Sequence, residues 1–248
     1  MTTLTKIIVT TLLSLLFFSC NFDINLNTGV KGNGLVVEQT RPINDTFHSI
    51  EASEGLDVYL TQSDSESIMV EADENLQDII ITEVEHHVLK IHTKQNIGKS
   101  TSKKVMVSFK NISKITSTSG SNVYSRNTII TENLELNSNS GSDMTLDLDT
   151  NNLVCKSSSG SDMKLTGKTL KLIAEATSGS DIKASELFTE FSQVNAYSGS
   201  DITVNTSKQL IAKASSGGDI NYYGNPEKVE KNNSVSGNIS KEITSKKL

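Results

Sequence analysis

The chain has 248 residues, room for one large domain or two small ones, with 35% hydrophobic and 5% aromatic residues and no Trp. Two Pro and an abundance of Ser, Thr and Asn argue against a helix bundle and for short strands joined by polar turns. The net charge is −6 and only two residues are Arg, Arg41 and Arg126, which excludes the clustered positive charge that phosphate-backbone binding needs, and with it nucleic acid as a partner.

The first twenty residues, MTTLTKIIVTTLLSLLFFSC, place Lys6 before an apolar stretch from Ile7 to Phe18. That stretch has the length of a signal-peptide core and is too short for a membrane span. Leu16-Phe17-Phe18-Ser19-Cys20 resembles a bacterial lipobox, so residues 1–19 read as a lipoprotein signal peptide, Cys20 as the lipidated residue and residues 20–29 as a tether. The alternative is an ordinary secretory signal with an incidental Cys. Lipid on Cys20 leaves only Cys155, so no internal disulfide forms and packing plus backbone hydrogen bonds hold the fold.

Residues 30–110 read as less regular coils. Short strands are expected at Phe47 to Ala52, Gly55 to Leu60, Ser67 to Ala72, Ile79 to Val84, Val88 to His92 and Val105 to Phe109, with Asn96 to Lys104 as an exposed loop. Gly55 to Gly120 leaves room for three coils covering the end of the later repeats. His86, His87 and His92 in EVEHHVLKIH, with Glu83 and Glu85, carry metal-ligating side chains. Their spacing matches no zinc pattern and alternation splits them between faces, so a solvated turn is the stronger reading.

Residues 111–240 carry a repeat. Ser-Gly-Ser-Asp-apolar recurs with its Gly at Gly120, Gly141, Gly160, Gly179, Gly199, Gly217 and, in a shortened copy, Gly237, at steps of 21, 19, 19, 20, 18 and 20 residues. A period near twenty marks a solenoid. Odd offsets from each Gly are apolar or small and even offsets are polar, the period-two signature of strands flanking each Gly. Stacking the coils puts Val123, Met144, Met163, Ile182, Ile202 and Ile220 in one inward ladder, and Cys155 in another as a small buried hydrophobe. Each Gly is expected to be a structural turn, and the Ser before it, by parity, to point inward. Asp143, Asp162, Asp181, Asp201 and Asp219 form a carboxylate row, with Asn122 at one end. Neighbours about 5 Å apart repel by roughly 1 kcal/mol in water-like dielectric. Corner N–H donors relieve that in one reading, and a row of bound cations such as Ca²⁺ in the other. Thr145, Lys164, Lys183 and Thr203 share an outward face. Residues 241–248 are a tail in which Lys246 and Lys247, beside Lys241, are solvated.

The lipobox, Gly32 and Gly34, Phe47-His-Ser-Ile50, Gly55-Leu-Asp-Val-Tyr-Leu60 and the repeated Ser-Gly-Ser-Asp-Ile together resemble the "putative auto-transporter adhesin, head GIN domain" family of Bacteroidetes-type bacteria over about residues 30 to 225. The resemblance implies an all-β, single-stranded right-handed parallel β-helix and an adhesive role, and it carries no catalytic residues. The expected function is a non-enzymatic cell-envelope lipoprotein, anchored by lipid to the outer membrane, serving as an adhesion, scaffold or binding module for a glycan or protein without any cofactor. The alternative is a polysaccharide-active lyase or hydrolase. Its convergent carboxylates are missing from a uniform Asp row, and Tyr197, Tyr222 and Tyr223 are the one candidate sugar platform, with Tyr222 expected inward.

Overall fold

The computed structural model describes residues 29–234 and 236–242. They form a β-solenoid of about 7 turns with roughly 19 residues per turn. The first nine strands are β1 (Val36–Arg41), β2 (Ser49–Ala52), β3 (Asp57–Gln62), β4 (Ser67–Asp73), β5 (Ile80–Glu85), β6 (Val88–Thr93), β7 (Lys103–Phe109), β8 (Lys114–Ser117) and β9 (Asn122–Ser125). The regular coils follow as β10 (Ile129–Ser138), β11 (Asp143–Ser158), β12 (Asp162–Thr177), β13 (Asp181–Tyr197), β14 (Asp201–Ser215), β15 (Asp219–Tyr223), β16 (Lys228–Asn233) and β17 (Asn238–Lys241).

From β11 to β14 each coil is a single strand of 15 to 17 residues running from one Ser-Gly corner to the next. Neighbouring coils pair in parallel with like over like: Met144 faces Met163, Met163 faces Ile182, and Ile182 faces Ile202. The inward ladders are fully buried, because alternate side chains point to opposite faces of a strand. Cys155 lies in one of them between Leu136 and Ala174. Burial pushes its thiol well above the ordinary range. The native protein is therefore expected to leave Cys155 unlabelled by a thiol reagent until denaturant unfolds the coils. Rapid labelling in buffer would show that this ladder is open.

The first half departs from a simple run of coils. β2 pairs in parallel with both β6 and β8, and β3 with both β7 and β9. The β2–β3 coil is thus inserted between β6–β7, which comes later in the chain, and β8–β9. Beyond β6 and β7 the pairing turns antiparallel, β5 on β6 and β4 on β7, with β1 added antiparallel to β4. This closes one end of the core. β1, for which no strand was expected, is mostly exposed (Val36 is 38% exposed) and lacks a clear apolar alternation.

The expected loop at 96–104 is tied down. Asp73, fully buried, accepts hydrogen bonds from the N–H groups of Thr101 and Ser102 on Oδ1 and of Gly34 on Oδ2, at 2.8–3.0 Å. A Cβ on Gly32 would lie 2.0 Å from Asp73 Oδ2, so the Gly32-x-Gly34 pair is the wrapping this carboxylate requires. These N–H bonds, Ser102 first, hold the Asp73 carboxyl below its usual range. Its contribution is therefore present above the unfolded value of about 3.9 and is lost as pH falls through the lower folded value.

Candidate binding surfaces

The repeated corner is a two-residue turn with both central residues left-handed, as at Ser159 (φ 56°) and Gly160 (φ 69°). No atom lies within 4 Å of a Cβ built on Gly120, Gly141, Gly160, Gly179 or Gly199. Backbone sign alone calls for glycine there. Each corner also joins the inter-coil ladder: Gly160 N–H donates to Ser178 O and Asp162 N–H to Ser142 O, both at 3.1 Å.

The two serines of the motif exchange their expected places. Left-handed backbone turns the Ser before each Gly outward, so Ser119, Ser140 and Ser159 are exposed. The Ser after it is buried: Ser121, Ser142, Ser161, Ser180 and Ser200 are 0% exposed. Ser161 Oγ donates to Ser138 O of the coil before and to Ser158 O of its own turn, both at 2.8 Å, and accepts from Ser158 N–H. The row ends at Gly218, where a Cβ would lie 2.4 Å from Ala196 O. Gly237 is not a corner residue. Its N–H donates to Ser234 O as that of Gly218 does to Ser215 O, and Asn238 pairs with Asp219. It takes the place of the inward serine and has no left-handed φ, which is why that repeat reads one residue short.

The carboxylates stand in register from Asp143 through Asp162, Asp181 and Asp201 to Asp219, bounded by Asn122 and Asn238. No corner N–H bonds these carboxylates, because the Asp N–H and left-handed Gly N–H groups donate to carbonyls of the neighbouring coils instead. Relief comes from Lys183, whose Nζ lies 3.3 Å from Asp162 Oδ2 and 3.2 Å from Asp181 Oδ2; at the end of the row Asn122 turns away from it and donates to Asp57 Oδ1 of the inserted coil. Among the described residues no three His, Cys, Asp or Glu side chains converge as a metal site. Desolvation first, then Asp181 and Asp219, raise the Asp201 pKa. A raised folded value favours folding below the unfolded value, and that advantage is lost as pH rises through the folded one. Asp201→Asn is therefore expected to raise the melting temperature at pH 7 and to lose that gain below about pH 4. A gain that persists at pH 3 would assign the effect to something other than charge.

Beside this row Thr145, Lys164, Lys183 and Thr203 stack outward as expected from the repeat. His86 and His87 form the β5–β6 turn (φ 51° and 62°), and His92 Nε2 lies 3.0 Å from Glu83 Oε1. The tyrosines form no common platform. Tyr222 is buried, Tyr197 pairs with Ser215 beside the corner, and Tyr223 pairs with Asn205 near the opposite edge.

That opposite edge carries the feature the repeat did not reveal. Each coil bends there over a row in register, Thr131, Thr150, Thr169, Thr189 and Thr206. From Thr150 onward these residues are buried, and their hydroxyls bond one another and nearby groups, Thr150 to Thr169 at 2.9 Å and Thr189 to Thr206 at 3.1 Å. Two adjoining depressions, of 610 and 350 Å³, follow this row and share Asp149 and Asn151. One wall is the column Ile130, Asp149, Lys168, Phe188 and Asn205. Gln62 pins Ile130 by accepting its N–H at 2.7 Å and donating to its C=O at 2.9 Å. Ile130 is 62%, Phe188 65% and Leu170 48% exposed. Coil regularity breaks here too, with register shifts between Ala184 and Phe188 and between Thr189 and Phe191. The only signal for this in the sequence is the longer Gly179–Gly199 step, which carries both Phe188 and Phe191.

The sequence model of the family described as "putative auto-transporter adhesin, head GIN domain" matches residues 46–226. The chain belongs to this family. The match runs from the β2 coil to just past β15 and includes the Asp row and the threonine edge. Among solved structures, a "putative adhesin" from Bacteroides fragilis is similar at TM-score 0.80 and 19% identity, covering 86% of this chain and 100% of that one. A "putative adhesin" from Parabacteroides distasonis is similar at 0.71 and 19%, covering 86% and 99%. A protein called "putative lipid binding protein", from the same species, is similar at 0.69 and 22%, covering 86% and 99%. At these identities the likeness is one of fold. No curated protein matches the chain. The likeness to these structures accounts for the solenoid. Cys20 and the signal segment lie outside the described residues.

Proposed function

We propose that this head GIN domain protein is an exported, lipid-anchored envelope component that works as a non-enzymatic adhesion or binding module. The observation that carries the reading is the uniform outer surface of the coils beside one irregular edge. A catalytic centre needs unlike groups converging on one point, and the Asp row instead repeats a single group along a line. Solenoids offer long faces suited to extended partners, here a glycan or a protein. Lipid on Cys20 would hold the module at the outer membrane, and the adhesin names of its relatives fit that placement.

The rival reading, a polysaccharide-cleaving enzyme, is separated by its product. Intact cells and the purified chain are incubated with glycan panels, with and without Ca²⁺. Capture without new reducing ends supports the module, and depolymerisation refutes it. Feeding labelled fatty acid tests the anchor: the chain takes up label and Cys20→Ala abolishes it. Equal label on the variant would remove lipidation from the account.

A further inference from the structure

We infer that the groove along the threonine edge binds an uncharged, extended polysaccharide lying parallel to the solenoid axis, an assignment that rests on the binding-module reading above. Three observations converge on this chemistry. First, the groove presents large apolar side chains outward, Ile130, Leu170 and Phe188, at positions where the other coils carry Asp149, Lys168, Asn151 and Asn205. An exposed ring offers its face to the C–H side of a pyranose. Second, planar amides stand beside these groups. Asn151 makes no side-chain hydrogen bond, and Asn133 uses only its Oδ1, on which Asn152 Nδ2 donates at 2.9 Å, leaving donors and acceptors for hydroxyls. Third, among the described residues no free cation lines the groove: Lys168 Nζ lies 3.2 Å from Asp149 Oδ2, and Lys208, at its edge, holds Glu190 Oε2 at 2.5 Å. With Lys168, the one lysine lining the two depressions, already paired and Glu132 adding a further carboxylate, the groove disfavours a polyanion and suits an uncharged chain.

The spacing agrees. Groove groups recur once per coil, at about 4.8 Å, close to the rise of one sugar in an extended β-linked chain. Five coils then set one groove position against each of five successive sugars, and the broken register around Phe188 sets where the ring meets the chain.

The test is calorimetric titration of the full chain with uncharged β-1,4-linked glucose and N-acetylglucosamine oligomers of one to six units, and with a polyuronate of the same length as the anionic control. Affinity should rise with length and level off near five units. Phe188→Ala should weaken binding about tenfold, Phe188→Tyr should restore most of it, and Lys164→Ala on the other face should leave it unchanged. Tighter binding of the polyuronate, no binding of any neutral oligomer, or equal affinity of Phe188→Ala each overturns the assignment. So does concentration-dependent self-association or vesicle capture that Phe188→Ala abolishes, since a second copy or a lipid would then own the groove. Cell attachment that survives Phe188→Ala would sink the groove assignment while leaving the binding module standing.

Discussion

Gly167→Ala should destabilise the protein more than any corner glycine substitution, although Gly167 lies outside the repeated motif. Its φ is +102°, and a Cβ there would lie 2.1 Å from Leu148 O and 3.0 Å from Leu148 C, both backbone atoms of the paired coil. Backbone cannot swing aside as a side chain can, so β11 and β12 must separate or the coil must rewind. A clash of this kind together with a disallowed φ costs about 3–5 kcal/mol. For a domain of this size that lowers the melting temperature by roughly 10 °C. Gly160→Ala meets no atom within 4 Å and keeps a φ of 69° that other residues can adopt at a cost of about 1 kcal/mol. Comparable losses in the two variants, measured by thermal unfolding, would show that the β11–β12 approach is looser than described.

Ser161 and Ser159 should differ as sharply, despite sitting two residues apart in one motif. Ser161→Val puts two methyl groups where a hydroxyl donates to Ser138 O and Ser158 O at 2.8 Å, and it takes the acceptor from Ser158 N–H. Overpacking and lost hydrogen bonds together cost about 3 kcal/mol. Ser161→Ala, which removes the bonds without adding bulk, costs about 1–2 kcal/mol. Ser159 is exposed, and Ser159→Ala should shift stability by no more than about 0.5 kcal/mol. Denaturant titration of the three variants tests the order. If Ser159 proved the costlier position, the inward serine would be the one before Gly, as parity alone suggests.

Parity misleads there for a definite reason. Alternation holds only while the backbone is extended, and the two left-handed residues of each corner turn the chain over between one serine and the next. Where the backbone is extended, the sequence pattern reads through. The twenty-residue period, the Val123-to-Ile220 ladder, the buried Cys155 and the Asp row all follow from counting. Gly237 misleads because a missing residue shifts it into the inward slot, a change invisible without the partner coil. The cap is hard to foresee since β2 takes its neighbours from later in the chain, and long-range order of that kind leaves no local signal. Asp73 holds the cap together through backbone N–H groups alone, so no pattern of side-chain types announces it. The threonine row is in plain sight, at Thr131, Thr150, Thr169, Thr189 and Thr206, yet those residues lie far from the glycines that set the alignment.

Distances between paired nitroxide labels test the stacking most directly. In a Cys20→Ala background, with Cys155 left in place because it is buried, labels are attached at cysteines replacing Thr145 and, in turn, Lys164, Lys183 and Thr203. In-register coils predict separations that lengthen by about 4.8 Å at each step along that column. Separations that fail to grow in that order would contradict the solenoid, and with it both the carboxylate row and the groove.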